Sequence, residues 1–346
     1  MGIESVSETV AAEVESTDMT GAQLLVHANE RRLLDECWGE GIAHESPFLI
    51  ASITKPVTAA AVMKCVEAGY CSLDDPVTDH VAGFASDGRE HVTIRHLLTH
   101  TSGLPDMLPD NEALRRRNAP RARFVERTLE VPLQFEPGTD VSYQSMGINL
   151  AAEIVERRTG VTLAAYMERE LFDPAGMDNT FLGLRGHKLG DVVPCDVDPA
   201  PGDPGFDRWD WNSQYWREFG APWGGLHSTA RDIARFLGLF LGDGSVDGTR
   251  VLAQETVRAM TSNQTPTLDE SWGLGWSLVG SRSYFGTASS DRTFGHGGAT
   301  GTLAWADPAR ELRFVLLTTR PLAATEDDFF ASLSDAVVNT VDSSSH

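Results

Sequence analysis

Apolar positions along the 346-residue chain change period several times, and those changes predict its elements. Residues 5–15 repeat apolar positions at helical spacing and read as a short amphipathic helix. The following GAQLLVHANERRLLDECWGE holds two apolar runs parted by polar residues around Asn29 and Glu30, the pattern of a β-hairpin. After Ile53, residues Ala59, Ala60, Val62, Met63 and Val66 fall on one broad apolar helix face, with Gly69 as the stop. From about 93 to 240, helical stretches alternate with Pro and Gly loops and show little strand patterning. The clearest helix runs through INLAAEIVERRT to Gly160, with Glu153 and Arg157 one turn apart on its wet face. Residues 182–225 read as a long irregular segment carrying Trp209, Trp211, Trp216 and Trp223. Another helix starts at STARDIARF, capped by Ser228 or Thr229, with Asp232 in its first turn.

Strand patterning returns in GWSLVG, RTFGHGG, GTLAWADP and ELRFVLLTT, short runs with turns between them. Phe329, Leu333, Val337 and Val341 then mark a last helix, behind three acidic residues placed in its first turn. Hairpin first, helices in the middle, strands and a helix last: the order predicts an α+β fold. Its antiparallel sheet is flanked by N- and C-terminal helices. A single domain is expected, with 18–85 plus 226–342 forming the sheet region and 86–225 an all-helical insert.

Composition (41% hydrophobic, 23% charged, 8% aromatic) is that of a folded protein and excludes disordered or collagenous classes. The charge is one-sided: 50 Asp and Glu against 28 Lys and Arg give −22. Such a field repels phosphate backbones and anionic headgroups, so neither a nucleic acid nor a membrane is expected as partner. Among the 28 cations only three are lysines, Lys55, Lys64 and Lys188. The opening MGIESVSETVAAEVESTD lacks a basic then apolar leader pattern, Val6 breaks the myristoylation pattern, and no apolar run nears the ~18 residues of a span. A cytoplasmic protein is expected; the oligomeric state is left open. Cys37, Cys65, Cys71 and Cys195 have neither CxxC nor zinc-like spacing and are expected reduced and buried.

Ser52 and Lys55 form Ser-x-x-Lys at the entry to the first long helix, where one turn puts both on the same face. A desolvated lysine, or one near other cations, loses its proton more readily and becomes a base toward a hydroxyl nucleophile. With so few lysines, chance supplies only about 0.2 such pairs in the chain. No Gly-x-Ser-x-Gly elbow, HExxH, Walker A or complete GxGxxG occurs, and no metal or cofactor is expected. His96 and His100 in RHLLTH have the spacing of a metal pair but are read as structural.

The stretch FLIASITKPVTAAAVMKCVEAGYCSLDDPV, followed by VTIRHLLTHTSGLP, FEPGTDVSYQSMG, PWGGLHSTARDIARF and FGHGGATGT, resembles the serine β-lactamase and penicillin-binding protein superfamily. Within it, the chain resembles most the class C β-lactamase branch and the family VIII carboxylesterases. The resemblance implies a β-lactamase/transpeptidase-like fold with Ser52 as acylated nucleophile, Lys55 as its partner and Tyr143 as the phenol exchanging protons with Ser52 and the leaving group. It implies an oxyanion hole from the amides of Ser52 and Ala299, and a substrate wall from Ser145, His296, Gly297, Gly298 and Trp223. Nearby cations are expected to lower the Tyr143 pKa.

Two departures steer the substrate. Ser145 stands where a β-lactamase has Asn, and His296 where it has Lys; an ordinary histidine is mostly neutral at pH 7. A β-lactam or D-Ala-D-Ala peptide brings a carboxylate that needs a standing cation, whereas a neutral ester does not. Arg320 is the candidate substitute cation. The expectation is a carboxylesterase for a small to medium ester. The alternatives are a β-lactamase, a D-amino-acid peptidase or an acyltransferase with the same machinery, and a non-catalytic binding protein on this fold.

Overall fold

The computed structural model describes residues 2–29, 31–85, 87–197, 205–326 and 328–344. Helix α1 (Glu4–Ser16) leads into β1 (Ala22–Ala28) and β2 (Arg31–Trp38), the predicted hairpin. Asn29 turns it at φ 48°, a conformation Asn tolerates; Glu30 lies outside the described residues. β3 (Phe48–Leu49) and a single turn, Ala51–Ile53, feed α2 (Thr54–Glu67), which ends before Gly69 at φ 73°. Rather than showing one apolar face, α2 is buried almost all round, from Thr54 to Met63 and again at Cys65. It is the central helix, packed on α6 (Met146–Thr159) and α7 (Leu163–Met167).

Before α6 come α3 (Ile94–Leu98), α4 (Asn111–Arg116) and α5 (Arg121–Thr128); after α7 the chain passes through one π-turn into α8 (Asp173–Ala175). There follow β4 (Phe181–Leu182), α9 (Gln214–Phe219), β5 (Leu226–Ser228), α10 (Ala230–Leu241), β6 (Ser245–Val246), β7 (Thr249–Arg250) and α11 (Gln254–Thr261). The segment expected to be irregular thus contains α9, which Ser213 caps by accepting from the Trp216 amide. β3, β5 and β4 form a small sheet whose strands, two or three residues each, are too short to show a period of two. Thr229, one of the two predicted caps, accepts from the Asp232 amide at the start of α10.

The main sheet adds β8 (Ser277–Leu278), β9 (Phe294–Gly298), β10 (Thr302–Asp307) and β11 (Leu312–Thr318) to the first hairpin, in the antiparallel order β2-β1-β11-β10-β9-β8. Alternation along its strands divides the molecule into two cores. Leu24, Val26, Leu303, Trp305, Phe314 and Leu316 face Val10 of α1 and Leu333 and Val337 of α12 (Phe329–Ser344). Leu25, Ala304, Ala306, Val315 and Leu317 belong to the second core, with Val57 of α2 and Ile233 and Leu237 of α10. Each fully buried Leu, Val or Phe contributes about 1.5–3 kcal/mol, so a one-residue slip in register would forfeit both cores at once. Helix α12 starts at Phe329, so Glu326 and Asp328 precede it instead of filling its first turn; Asp327 is outside the described residues. All four cysteines are free thiols, Cys65 and Cys195 buried but Cys37 and Cys71 only half-buried.

Candidate active site

Ser52 sits in the turn that opens α2, and the residue before it, Ala51, is held at φ 44°. An αL alanine costs about 1–3 kcal/mol and survives only where its surroundings enforce it. Here Gly298 supplies the room: a Cβ on it would lie 3.3 Å from the Ala51 methyl. Lys55, one turn on, is 1% exposed. Its Nζ is 2.9 Å from Ser52 Oγ and 3.1 Å from the Trp223 carbonyl oxygen. Burial pulls the ammonium down to a pKa of about 7, with the Asp106 carboxylate opposing in part. The neutral amine donates to the Trp223 carbonyl and leaves its lone pair for the Ser52 hydroxyl. Thr58, donating to Pro222 O at 2.6 Å, ties α2 to the same segment. The Trp223 ring is not a substrate wall: it is 3% exposed and packs on Phe124, Trp216 and Phe219, and only its carbonyl serves the site.

Tyr143 reaches the same point from the loop before α6, hydrogen-bonded to Ser52, with its ring centroid 4.5 Å from Lys55 Nζ. Burial raises the phenol pKa well above its ordinary value, and the opposing effects of the Ser52 hydrogen bond and Arg282 are smaller. The expected lowering is therefore reversed: burial keeps the Tyr143 phenol protonated, while it makes the Lys55 ammonium ready to lose its proton. The RHLLTH stretch builds the seat of this ring. His100, at φ 63°, lies 4.8 Å from it, centroid to centroid, and its Nδ1 accepts from the Gln144 amide at 3.2 Å. The Gln144 side chain donates to His96 O at 3.1 Å and accepts from Ser102 Oγ at 2.5 Å.

Ser145 is 1% exposed and its hydroxyl donates to Asp106 Oδ1 at 2.6 Å, so its proton is committed to an internal partner. Asp106 itself is exposed, within electrostatic reach of Lys55 and Tyr143, and has no ion-pair partner among the described residues. It was missed in the sequence, where Leu-Pro-Asp reads as a plain turn.

The third motif lies on β9. A Cβ on Gly298 would come within 2.4 Å of Ile50 O, so only glycine lets the strand close on the Ser52 turn. Thr300 and Thr302 fasten it there, donating to Leu49 O at 2.6 Å and Ile50 O at 3.0 Å, and leave Ala299 exposed between them and Gly298. The two threonines of the TGT run were readable as residues but not as clamps, because their acceptors are some 250 positions away. Gly297 is half-buried, and a Cβ there would lie 3.2 Å from the Tyr284 ring. His296 is 3% exposed; its Nδ1 donates to Gly297 O at 2.7 Å and Nε2 has no partner. Burial first, then Lys55, lowers its pKa to about 3, so the ring is neutral and Nε2 offers a lone pair. Arg320 is not the substitute cation: its guanidinium binds Glu13 of α1 at 2.7 Å. Arg282 is nearer, its Cζ 5.8 Å from the Tyr143 centroid and 5.4 Å from Trp272, and it is shared with Glu270 at 3.6 Å.

Comparison with known proteins agrees with this geometry. The sequence model of the β-lactamase family matches residues 6–334. Penicillin-binding protein 4 of Amycolatopsis lactamdurans is 32% identical over 76% of this chain and 68% of its own length. A penicillin-binding protein homologue from Caulobacter crescentus superposes with a TM-score of 0.80 at 22% identity, covering 97% of each chain. A family VIII carboxylesterase superposes with a TM-score of 0.78 at 20% identity, covering 98% of this chain and 97% of that one. With a Ser-Lys-Tyr cluster on a matching fold and a family match along nearly its whole length, the chain belongs to the β-lactamase family.

Proposed function

We propose that the protein is a serine hydrolase that forms an acyl-enzyme on Ser52 and acts on small to medium carboxylic esters. One observation carries the ester assignment: the side chain at the head of the third motif, His296, is neutral and offers a lone pair where a carboxylate-bearing substrate needs a cation. Lys55 takes the Ser52 proton as Oγ attacks the ester carbonyl. The carbonyl oxygen, now an oxyanion, turns toward the amides of Ser52 and Ala299. Tyr143 donates its phenolic proton to the departing alkoxide and is reprotonated by Lys55, so the phenol's proton ends on the alcohol and the seryl proton on Tyr143. Water then enters by the reverse sequence and the acid leaves. The likeness in fold to a family VIII carboxylesterase supports the same substrate class.

Arg282 favours a second activity, hydrolysis of a peptide with a free carboxylate, since its guanidinium, part-exposed, lies 5.8 Å from the Tyr143 ring centroid. Whole-protein mass spectrometry after mixing with a p-nitrophenyl ester is the test, alongside steady-state rates on a short ester, a D-Ala-D-Ala peptide and nitrocefin. An adduct on Ser52, absent in Ser52→Ala, with the ester turned over fastest, is the expected result. Equal turnover by Ser52→Ala and wild type sinks the nucleophile assignment; faster peptide or nitrocefin turnover sinks the ester assignment.

A further inference from the structure

Away from the acyl site, the register of the main sheet lines up three basic side chains. His27 of β1 is the cross-strand partner of Arg32 on β2 and of Arg313 on β11. The register thus sets the two arginines on either side of His27, on one face of the sheet. They line a cavity of about 420 Å³, to which α10 adds Arg231 and Arg235. In a chain of net charge −22, four arginines against one lining carboxylate, Asp247, are a local reversal of sign.

The carboxylates nearby are already engaged. Asp35 takes Arg32 and Arg231, Glu45 takes Arg231, and Asp247 takes Arg235. Arg313 has no carboxylate partner among the described residues. Its two hydrogen bonds go to neutral acceptors, Ala234 O at 3.2 Å and His27 Nδ1 at 2.6 Å, and its buried Nε has no partner. The carboxylate that acts on it from a distance, Asp247, is already the ion-pair partner of Arg235, so the half-buried guanidinium shares its counter-charge with a second arginine. The helix above is shaped around it: a Cβ on Gly238 would lie 2.6 Å from Arg313 Nη1, and glycine is an unfavourable residue for a helix interior.

We propose that this cavity is a binding site for a small multivalent oxyanion of the phosphate type, with Arg313 as its buried counter-charge and Arg235 and Arg32 at its mouth. The planar forks of several arginines suit the oxygens of such an anion, and the site is independent of acyl chemistry at Ser52.

Isothermal titration of the whole protein with inorganic phosphate, against acetate and chloride at matched ionic strength and pH 7.5, tests it. One saturable site per chain with a Kd below about 1 mM is expected for phosphate. Arg313→Gln is expected to weaken it at least tenfold and the half-buried Arg235→Gln severalfold, with ester turnover by Arg235→Gln unchanged. Absence of saturable phosphate binding to wild type overturns the proposal, as does undiminished affinity in Arg235→Gln, which remains informative if Arg313→Gln does not fold. Acetate binding as tightly as phosphate overturns the assignment to a multivalent anion.

Discussion

Lys55 links burial, catalysis and stability in one side chain. Its amine is the base in its neutral form, so kcat/KM on a neutral ester is expected to rise with pH to a midpoint near 7. Because Asp106 holds that pKa up, Asp106→Asn is expected to move the midpoint to lower pH, read from the acid limb of the profile; an unmoved limb would detach Asp106 from Lys55. His296, neutral throughout this range, contributes no limb of its own. The same burial shows in stability with a definite sign. The folded pKa lies below the unfolded value of about 10.4, so between about pH 7 and 10 the unfolded chain binds more protons, and stability rises with pH across that window. Below pH 7 the full penalty applies, on the order of 4 kcal/mol. Lys55→Met is therefore expected to melt higher than wild type at pH 6.5 and to lose that advantage by pH 10, as measured by thermal unfolding.

At the scale of elements, catalysis depends on how β9 closes on the turn before α2. Gly298→Ala sets a methyl against Ile50 O, and the expected loss in kcat/KM is at least a hundredfold, about 2.7 kcal/mol in transition-state stabilisation, with the far-ultraviolet spectrum unchanged. Double replacement of Thr300 and Thr302 by Val frees the strand from Leu49 O and Ile50 O and is expected to lower kcat more than it raises KM. The elements themselves were largely legible in the sequence: α1, the first hairpin, α6 and α10 announce their period, the strands β9 to β11 showed as short runs between turns, and α2 was placed as a helix without its all-round burial. β3, β4 and β5 were not, since two or three residues show no periodicity. At the site, the sequence displayed Ser52, Lys55 and Tyr143 because each stands in a local motif. Asp106 and Arg282 escaped, since nothing local to them tells that Ser145 and Tyr143 will be their neighbours. Trp223 misled because residue type reveals an aromatic ring, while the contact at the site is made by the backbone behind it.

On the scale of the whole molecule, the surplus of acidic groups and the two-sided sheet set the conditions of stability. A formal charge of −22 repels itself, so the melting temperature is expected to rise as sodium chloride is increased from 10 to 200 mM, where screening shortens to roughly 10 Å and below; a flat response would mean the charges are already locally paired. Trp305, 0% exposed beneath α12 and hydrogen-bonded to Ser334, belongs to the core on the far side of the sheet from Lys55. Trp305→Ala is expected to cost about 3–5 kcal/mol in unfolding free energy while leaving the pH midpoint of turnover in place. The first hairpin is held in that sheet by the pairing of β1 with β11, strands nearly 300 positions apart. On a ribosome the seryl helix emerges early, yet the strand that holds the first hairpin in the sheet, and the loop bearing Ala299, arrive among the last tenth or so of the chain. The proposed nucleophile is thus made long before it can react, and the appearance of hydrolase activity during translation would time the completion of folding rather than the synthesis of Ser52.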